Sequence, residues 1–171
     1  ESRHLGLVGA DEIKSFDEKL EHLADVMEKT VDIDAVMKLA KTAEKIEYEA
    51  EKDVGTDSKS CVNIAIAKDE AFCFLYDDNI AFLEENGCRI MYFSPIHDSE
   101  IPHDADGVIF WGGYPERYAK ELSENKSMIK SVKKVIDSGI ACIAECGGFL
   151  YLHSYLEGTD GKKYPMAGII D

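Results

Sequence analysis

From Cys61 onward, short apolar runs of strand length alternate with helix-patterned segments, and this alternation limits the fold more than any other feature. Residues 62–67, 89–93, 107–111 and 140–144 are brief and almost continuously apolar, the pattern of strands buried on both faces. Between them, residues 77–85 open on two aspartates and close at Asn86-Gly87. Residues 126–138 set Met128, Val132, Val135 and Ile136 on one side before Gly139 ends the helix. A β-α-β order of this kind requires a parallel sheet with helices on both faces. Ligands of such sheets bind at the carboxyl ends of the strands, so chemistry is expected in the loops after Ala67, Phe93, Trp111 and Ala144.

Residues 1–58 have a different character. They carry 16 acidic and 8 basic residues and almost no strand signal. Ile13, Phe16, Leu20, Leu23 and Met27 recur at helical spacing after an Asp11 cap, and Val36, Leu39, Ala40, Ala43 and Ile46 do so after Asp32 or Asp34. Two amphipathic helices are expected, with stripes so narrow that they must pack on each other, on a partner domain, or on a neighbouring copy in a homodimer. Residues 53–60 have loop composition and read as the connector. The domain boundary is therefore placed between 58 and 59. The start at Glu1 and the stop at Asp171, within a strand-like run, suggest a piece of something longer, truncated at its C-terminus.

The strand at 140–144 runs into Glu145-Cys146-Gly147-Gly148 and then an apolar helix. A sharp strand-to-helix turn needs small neighbours around an exposed nucleophile, and Ala144, Gly147 and Gly148 supply them. Cys146 at that position meets the first free N–H groups of a helix, whose dipole favours thiolate and so attack on an amide carbonyl. Directly after the 107–111 strand stands Gly112-Gly113-Tyr114-Pro115-Glu116, so adjacent strand ends both carry glycines. The backbone N–H groups of Gly112, Gly113 and Gly147 are candidates for holding an oxyanion. Asp69 and Glu70 follow the first strand and are candidates, by position, for the charged amino group of a ligand. Tyr114 and Glu145 flank the glycine loop and the nucleophile and complete the candidate binding set.

At these residues the chain resembles the glutamine amidotransferase domain of cobyrinic acid a,c-diamide synthases and their relatives. The resemblance rests on residues 3–8, 64–72 and 93–95, on Gly112-Gly113-Tyr114-Pro115-Glu116, on Ala144-Glu145-Cys146-Gly147-Gly148, and on Tyr164-Pro165-Met166. It implies a class I glutamine amidotransferase-like, flavodoxin-like α/β fold with Cys146 as nucleophile. It further implies an ATP-dependent ligase in which glutamine-derived ammonia amidates carboxylates of a tetrapyrrole. Residues 1–58 would then be the tail of the ATP-binding synthetase domain plus interdomain helices, and ATP and Mg2+ would belong to that domain. The family's general-base His falls beyond Asp171, which implies that this stretch alone is inactive. The glutaminase halves of nickel sirohydrochlorin a,c-diamide synthase and cobyric acid synthase look much the same. A non-catalytic docking or regulatory module on the same fold is the alternative of another class.

Composition narrows the remaining choices. A net charge of −15 without any Lys/Arg cluster argues against nucleic acid and anionic membrane as partners. No apolar run is long enough to span a bilayer and no leader pattern opens the chain, which points to the cytoplasm. Cys61, Cys73, Cys88, Cys142 and Cys146 form an odd set without a C-x-x-C, expected to be reduced thiols rather than a metal site. Neither phosphate-loop signature occurs, and no cofactor is expected within these residues.

Overall fold

The structure, a computed structural model, describes residues 13–47 and 61–171 together with Val8. The chain divides into two compact units, Glu1–Val54 and Gly55–Asp171.

In the first unit, α1 spans Phe16–Thr30 and α2 spans Ile33–Ala40. Asp32 caps α2 by accepting the Ala35 N–H at 2.9 Å, one of the two caps expected there. Asp11, the cap expected for α1, and the 53–60 connector lie outside the described residues. The second helix stops at Ala40 and does not continue to Ala43 and Ile46. Thr42 is the reason: its N–H and its hydroxyl both donate to the Leu39 carbonyl, at 2.9 and 2.7 Å, and the Ala43 N–H turns to Ala40, tightening the last turn to a close. No residue of either helix is buried.

In the second unit, β1 (Val62–Ala67), α3 (Asp77–Glu85), β2 (Cys88–Phe93), β3 (Gly107–Phe110), α4 (Ala119–Glu124), α5 (Lys126–Asp137), β4 (Ala141–Ala144) and α6 (Gly147–Tyr151) follow in order. A 3-10 turn at Pro115–Tyr118 precedes α4, and a small hairpin of β5 (Tyr155–Glu157) and β6 (Lys163–Pro165) closes the chain. Strand order is β2-β1-β3-β4, every pair parallel, with Ile64 opposite both Ile90 and Gly107 and with Phe110 opposite Ala144. The step from β1 to β2 and the step from β3 to β4 run in opposite directions across the sheet. Right-handed crossovers therefore put α3 on one face and α4–α5 on the other, as the sequence pattern requires. The strand-like run at the end of the chain forms only one bridge, between His153 and Ile170.

β3 is buried along its whole length, which explains its unbroken apolar run. Phe110 meets Phe72 and Phe93 edge-to-face, with centroids 6.3 and 5.7 Å away, and Tyr151 of α6 packs on Phe72 at 5.5 Å. Met128 and Val132 of α5 close this core. Burying each such side chain stabilises the fold by about 1.5–3 kcal/mol. Asn125 locks α5 in place: its side-chain oxygen accepts the Met128 N–H, and its amide donates to the carbonyls of Pro95, Ile96 and Asp98 in the loop after β2. The carboxyl edge of the sheet is thereby tied from β2 across to the start of α5.

Candidate active site

Cys146 adopts φ 48° and ψ −118°, one of only two non-glycine residues with positive φ among those described. Such a conformation costs a β-carbon-bearing residue about 1–3 kcal/mol and persists only where neighbouring bonds over-determine it. They do here. The Glu145 N–H donates to Phe110 O at 3.1 Å, and the Gly148 N–H to Glu145 O at 2.9 Å and Trp111 O at 3.0 Å. Cys146 O accepts the Leu150 N–H at 3.1 Å. With the backbone pinned on both sides, the side chain is thrown out above the strand ends, and Cys146 is exposed. The strand–turn–helix geometry expected around Cys146 from the sequence is present.

The two glycine-bearing loops close on each other. A β-carbon on Gly112 would stand 3.5 Å from that of Cys146. One on Gly147 would stand 2.7 Å from Pro115 Cδ and 3.1 Å from the Gly113 nitrogen. One on Gly148 would overlap the Phe110 carbonyl. The three expected oxyanion donors are not equivalent, however. Gly112 forms an antiparallel bridge with Phe74, whose N–H donates to Gly112 O at 3.1 Å. The amides of Gly113 and Gly147 have no acceptor among the described residues.

The four candidate binding residues divide in the same way. Asp69 does not present a free carboxylate. Oδ1 accepts the Ala71 N–H at 2.9 Å and the Phe72 N–H at 3.2 Å, while Oδ2 accepts the Ser94 hydroxyl at 2.8 Å and the Ile96 N–H at 2.9 Å. Four donors use the four lone-pair sites of a carboxylate, leaving none for a ligand ammonium. Glu70 pairs with His97 at 3.0 Å. Its own backbone N–H, and then His97, hold the Glu70 carboxyl below its usual range, and the hydrogen bond to Glu70 raises His97. Tyr114 is buried, edge-on to Phe74 at 5.2 Å. Glu145 is exposed beside Cys146, and its carboxylate has no partner among the described residues.

The three histidines of the second unit, His97, His103 and His153, lie away from Cys146. His97 follows β2, three strand positions from β4, or about 14 Å at the usual strand spacing. His103 pairs with Glu100 at 3.0 Å in the loop that leads back to the amino end of β3. His153 lies past the far end of α6, edge-on to Phe149 at 4.9 Å. Among the described residues, the buried side-chain atoms Trp111 Nε1 and Tyr151 Oη have no hydrogen-bond partner. Burial, and after it the charge of Asp69, pushes the Tyr151 phenol up. A cavity of about 600 Å³ opens between α5 and the 99–105 loop, at the amino end of the sheet and away from Cys146. Among the described residues no group of three or more His, Cys, Asp or Glu is placed to hold a metal ion, and no helix is long and apolar enough to cross a membrane.

The chain is 40% identical over 177 residues to cobyrinate a,c-diamide synthase of Fusobacterium nucleatum subsp. nucleatum, a match covering 99% of the chain and 40% of that protein. It is 43% identical over 161 residues to the same-named protein of Clostridium tetani, covering 94% of the chain and 35% of the relative. With that of Picrophilus torridus it is 41% identical over 174 residues, covering all of the chain and 38% of the relative. The chain thus spans about two fifths of the length of these curated relatives. Residues 63–171, which hold the parallel sheet, the glycine loop and the elbow, match the model of the CobB/CobQ-like glutamine amidotransferase domain, and the chain belongs to that family.

Proposed function

We propose that these residues hydrolyse glutamine for an amidoligase, with Cys146 as the nucleophile. The observation that carries the reading is the strained, exposed Cys146 beside the unengaged amides of Gly113 and Gly147, in a chain of the amidotransferase family. The sulfur attacks the carboxamide carbon of glutamine, a C–S bond forms, and the carbonyl electron pair moves onto oxygen between the two amides. Collapse expels the protonated nitrogen as ammonia and leaves a γ-glutamyl thioester, which water cleaves to glutamate and free thiol. Glu145 meets the substrate ammonium, and Phe74 and Tyr114 wall the site.

The relatives' shared name supports the next step, transfer of the ammonia to carboxylates of cobyrinate; the reading assigns that step to a synthetase domain of the same protein that uses ATP and Mg2+, with residues 1–58 as its tail and linker. The setting is cytoplasmic. In this reading the group that protonates the leaving nitrogen and activates water is supplied from beyond Asp171, and the placement of His97, His103 and His153 away from Cys146 supports it. Missing acid–base assistance costs about 10²–10⁴-fold in rate.

The test is ammonia release from glutamine by the 171-residue chain and by a form carrying the flanking sequence of its gene, each beside a Cys146→Ala control. The longer form should release ammonia in a Cys146-dependent manner and the short one far more slowly. Equal turnover by the Cys146→Ala forms would overturn the reading.

A further inference from the structure

We propose that Asp69 is the positioning residue of the oxyanion site, setting the Gly113 amide through the loop after β1; the proposal rests on the glutaminase reading of Cys146, Gly113 and Gly147. Asp69 joins two loops through one carboxylate, with the Ala71 and Phe72 amides of its own loop on Oδ1 and the Ser94 hydroxyl and Ile96 amide of the loop after β2 on Oδ2. Bonds to an ionised acceptor are stronger than neutral ones, and four on one group fix the backbone of residues 69–72 closely.

That backbone is the surface on which Gly113 rests. A β-carbon on Gly113 would overlap the Ala71 carbonyl and stand 2.9 Å from the Phe72 α-carbon, so the glycine and the loop share no spare space. The same loop reaches the elbow from the other side, since the Phe72 ring packs on Tyr151 of α6 at 5.5 Å. Phe74 completes the clamp through its bridge to Gly112. A shift of residues 71–72 is therefore passed to Gly113 and to α6, whose separation sets the oxyanion site. Asp69 touches neither substrate nor nucleophile; it acts through Ala71 and Phe72. Its neighbour Glu70, bonded to His97 at the surface, shares none of these contacts.

The experiment separates carbonyl addition from thiol exposure. L-Glutamic acid γ-semialdehyde adds to Cys146 as a hemithioacetal: the C–S bond forms, the carbonyl pair becomes an alkoxide held by the oxyanion amides, and solvent protonates it. Iodoacetamide alkylates the same sulfur by displacement of iodide and forms no oxyanion. Protection of Cys146 from iodoacetamide by the aldehyde gives the aldehyde Kd, and the unprotected rate reports the sulfur alone. In Asp69→Asn an amide N–H₂ faces the Ser94 and Ile96 donors, and the aldehyde Kd should rise about tenfold or more, since small misplacements in such sites are costly. The iodoacetamide rate should stay within about twofold, because it does not use the amides.

Ser94→Ala removes one donor and keeps the carboxylate; it should raise the Kd about threefold. An unchanged Kd in Asp69→Asn, or in Ser94→Ala if the first variant does not fold, overturns the proposal. So does a parallel change in both readouts, which would mark general loosening. Wild-type protein that gains no protection from the aldehyde would instead sink the glutaminase reading itself.

Discussion

The Cα of Gly147 faces the amide of Gly113, so that a β-carbon added to Gly147 would stand 3.1 Å from the Gly113 nitrogen and 2.7 Å from Pro115 Cδ. Neither neighbour is the far end of a flexible side chain. Gly147→Ala should therefore push the glycine loop away from the elbow, costing about 1–3 kcal/mol of stability by overpacking. It should also weaken γ-semialdehyde binding about 10²-fold, on the scale of losing one oxyanion donor. Thermal unfolding and the protection assay read the two effects. Normal aldehyde affinity in this variant would show that the loops do not form the oxyanion site together.

Glu145 stands next to Cys146, exposed and without a partner among the described residues, whereas Asp69 has no lone pair left. Glu145→Gln should raise the glutamine concentration needed to protect Cys146 from alkylation, by about tenfold for a lost charge-assisted bond. Alkylation in the absence of glutamine should be unchanged. Unaltered protection would remove Glu145 from the binding site.

The His97–Glu70 pair gives a pH signature that does not depend on catalysis. The hydrogen bond to Glu70 raises His97 above 6.5, while the Glu70 backbone N–H and His97 hold Glu70 below 4.5. The raised His97 contributes fully below 6.5 and loses its contribution as pH climbs through its folded value. The lowered Glu70 contributes above 4.5 and loses its contribution as pH falls through its own. Both are charged between those limits. An NMR titration of the imidazole should show the His97 midpoint moving down toward 6.5 in Glu70→Gln. A midpoint that stays put would mean the pair is not formed in solution.

Distance from Cys146 leads to a further expectation. With His97 three strand positions from β4, His97→Ala should leave the reaction of Cys146 with a glutamine-like electrophile within about twofold of wild type. A fall of 10²-fold or more, the effect of losing a general base, would place His97 in the chemistry.

Much of this layout was legible in the residues. The four strands follow from apolar runs, α3 and α5 from their caps and stripes, and the elbow from small residues around Cys146. Local signals were strong there because each element satisfies its own pattern. What the residues did not show depends on partners distant in sequence. The bonds of Asp69 reach Ser94 and Ile96, 25 and 27 residues away, and no spacing rule reports a carboxylate filled by backbone amides. Gly112 and Gly113 look alike until Phe74 pairs with one of them. α4 and the β5–β6 hairpin are too short for a clear periodicity, and the overlong second helix reflects apolar spacing that continued past the point where Thr42 took the Leu39 carbonyl.

The central claim, that Cys146 is the nucleophile toward the carboxamide of glutamine, is tested most directly by a chloroketone analogue of glutamine and peptide mapping. Cys61 and Cys73 are exposed as well and serve as internal competitors. The reagent's carbonyl seats in the oxyanion site, so a limiting amount should label Cys146 alone, glutamine should slow the labelling, and Cys146→Ala should take up none. Labelling spread over Cys61 and Cys73, or labelling of Cys146 that glutamine does not slow, would contradict the account.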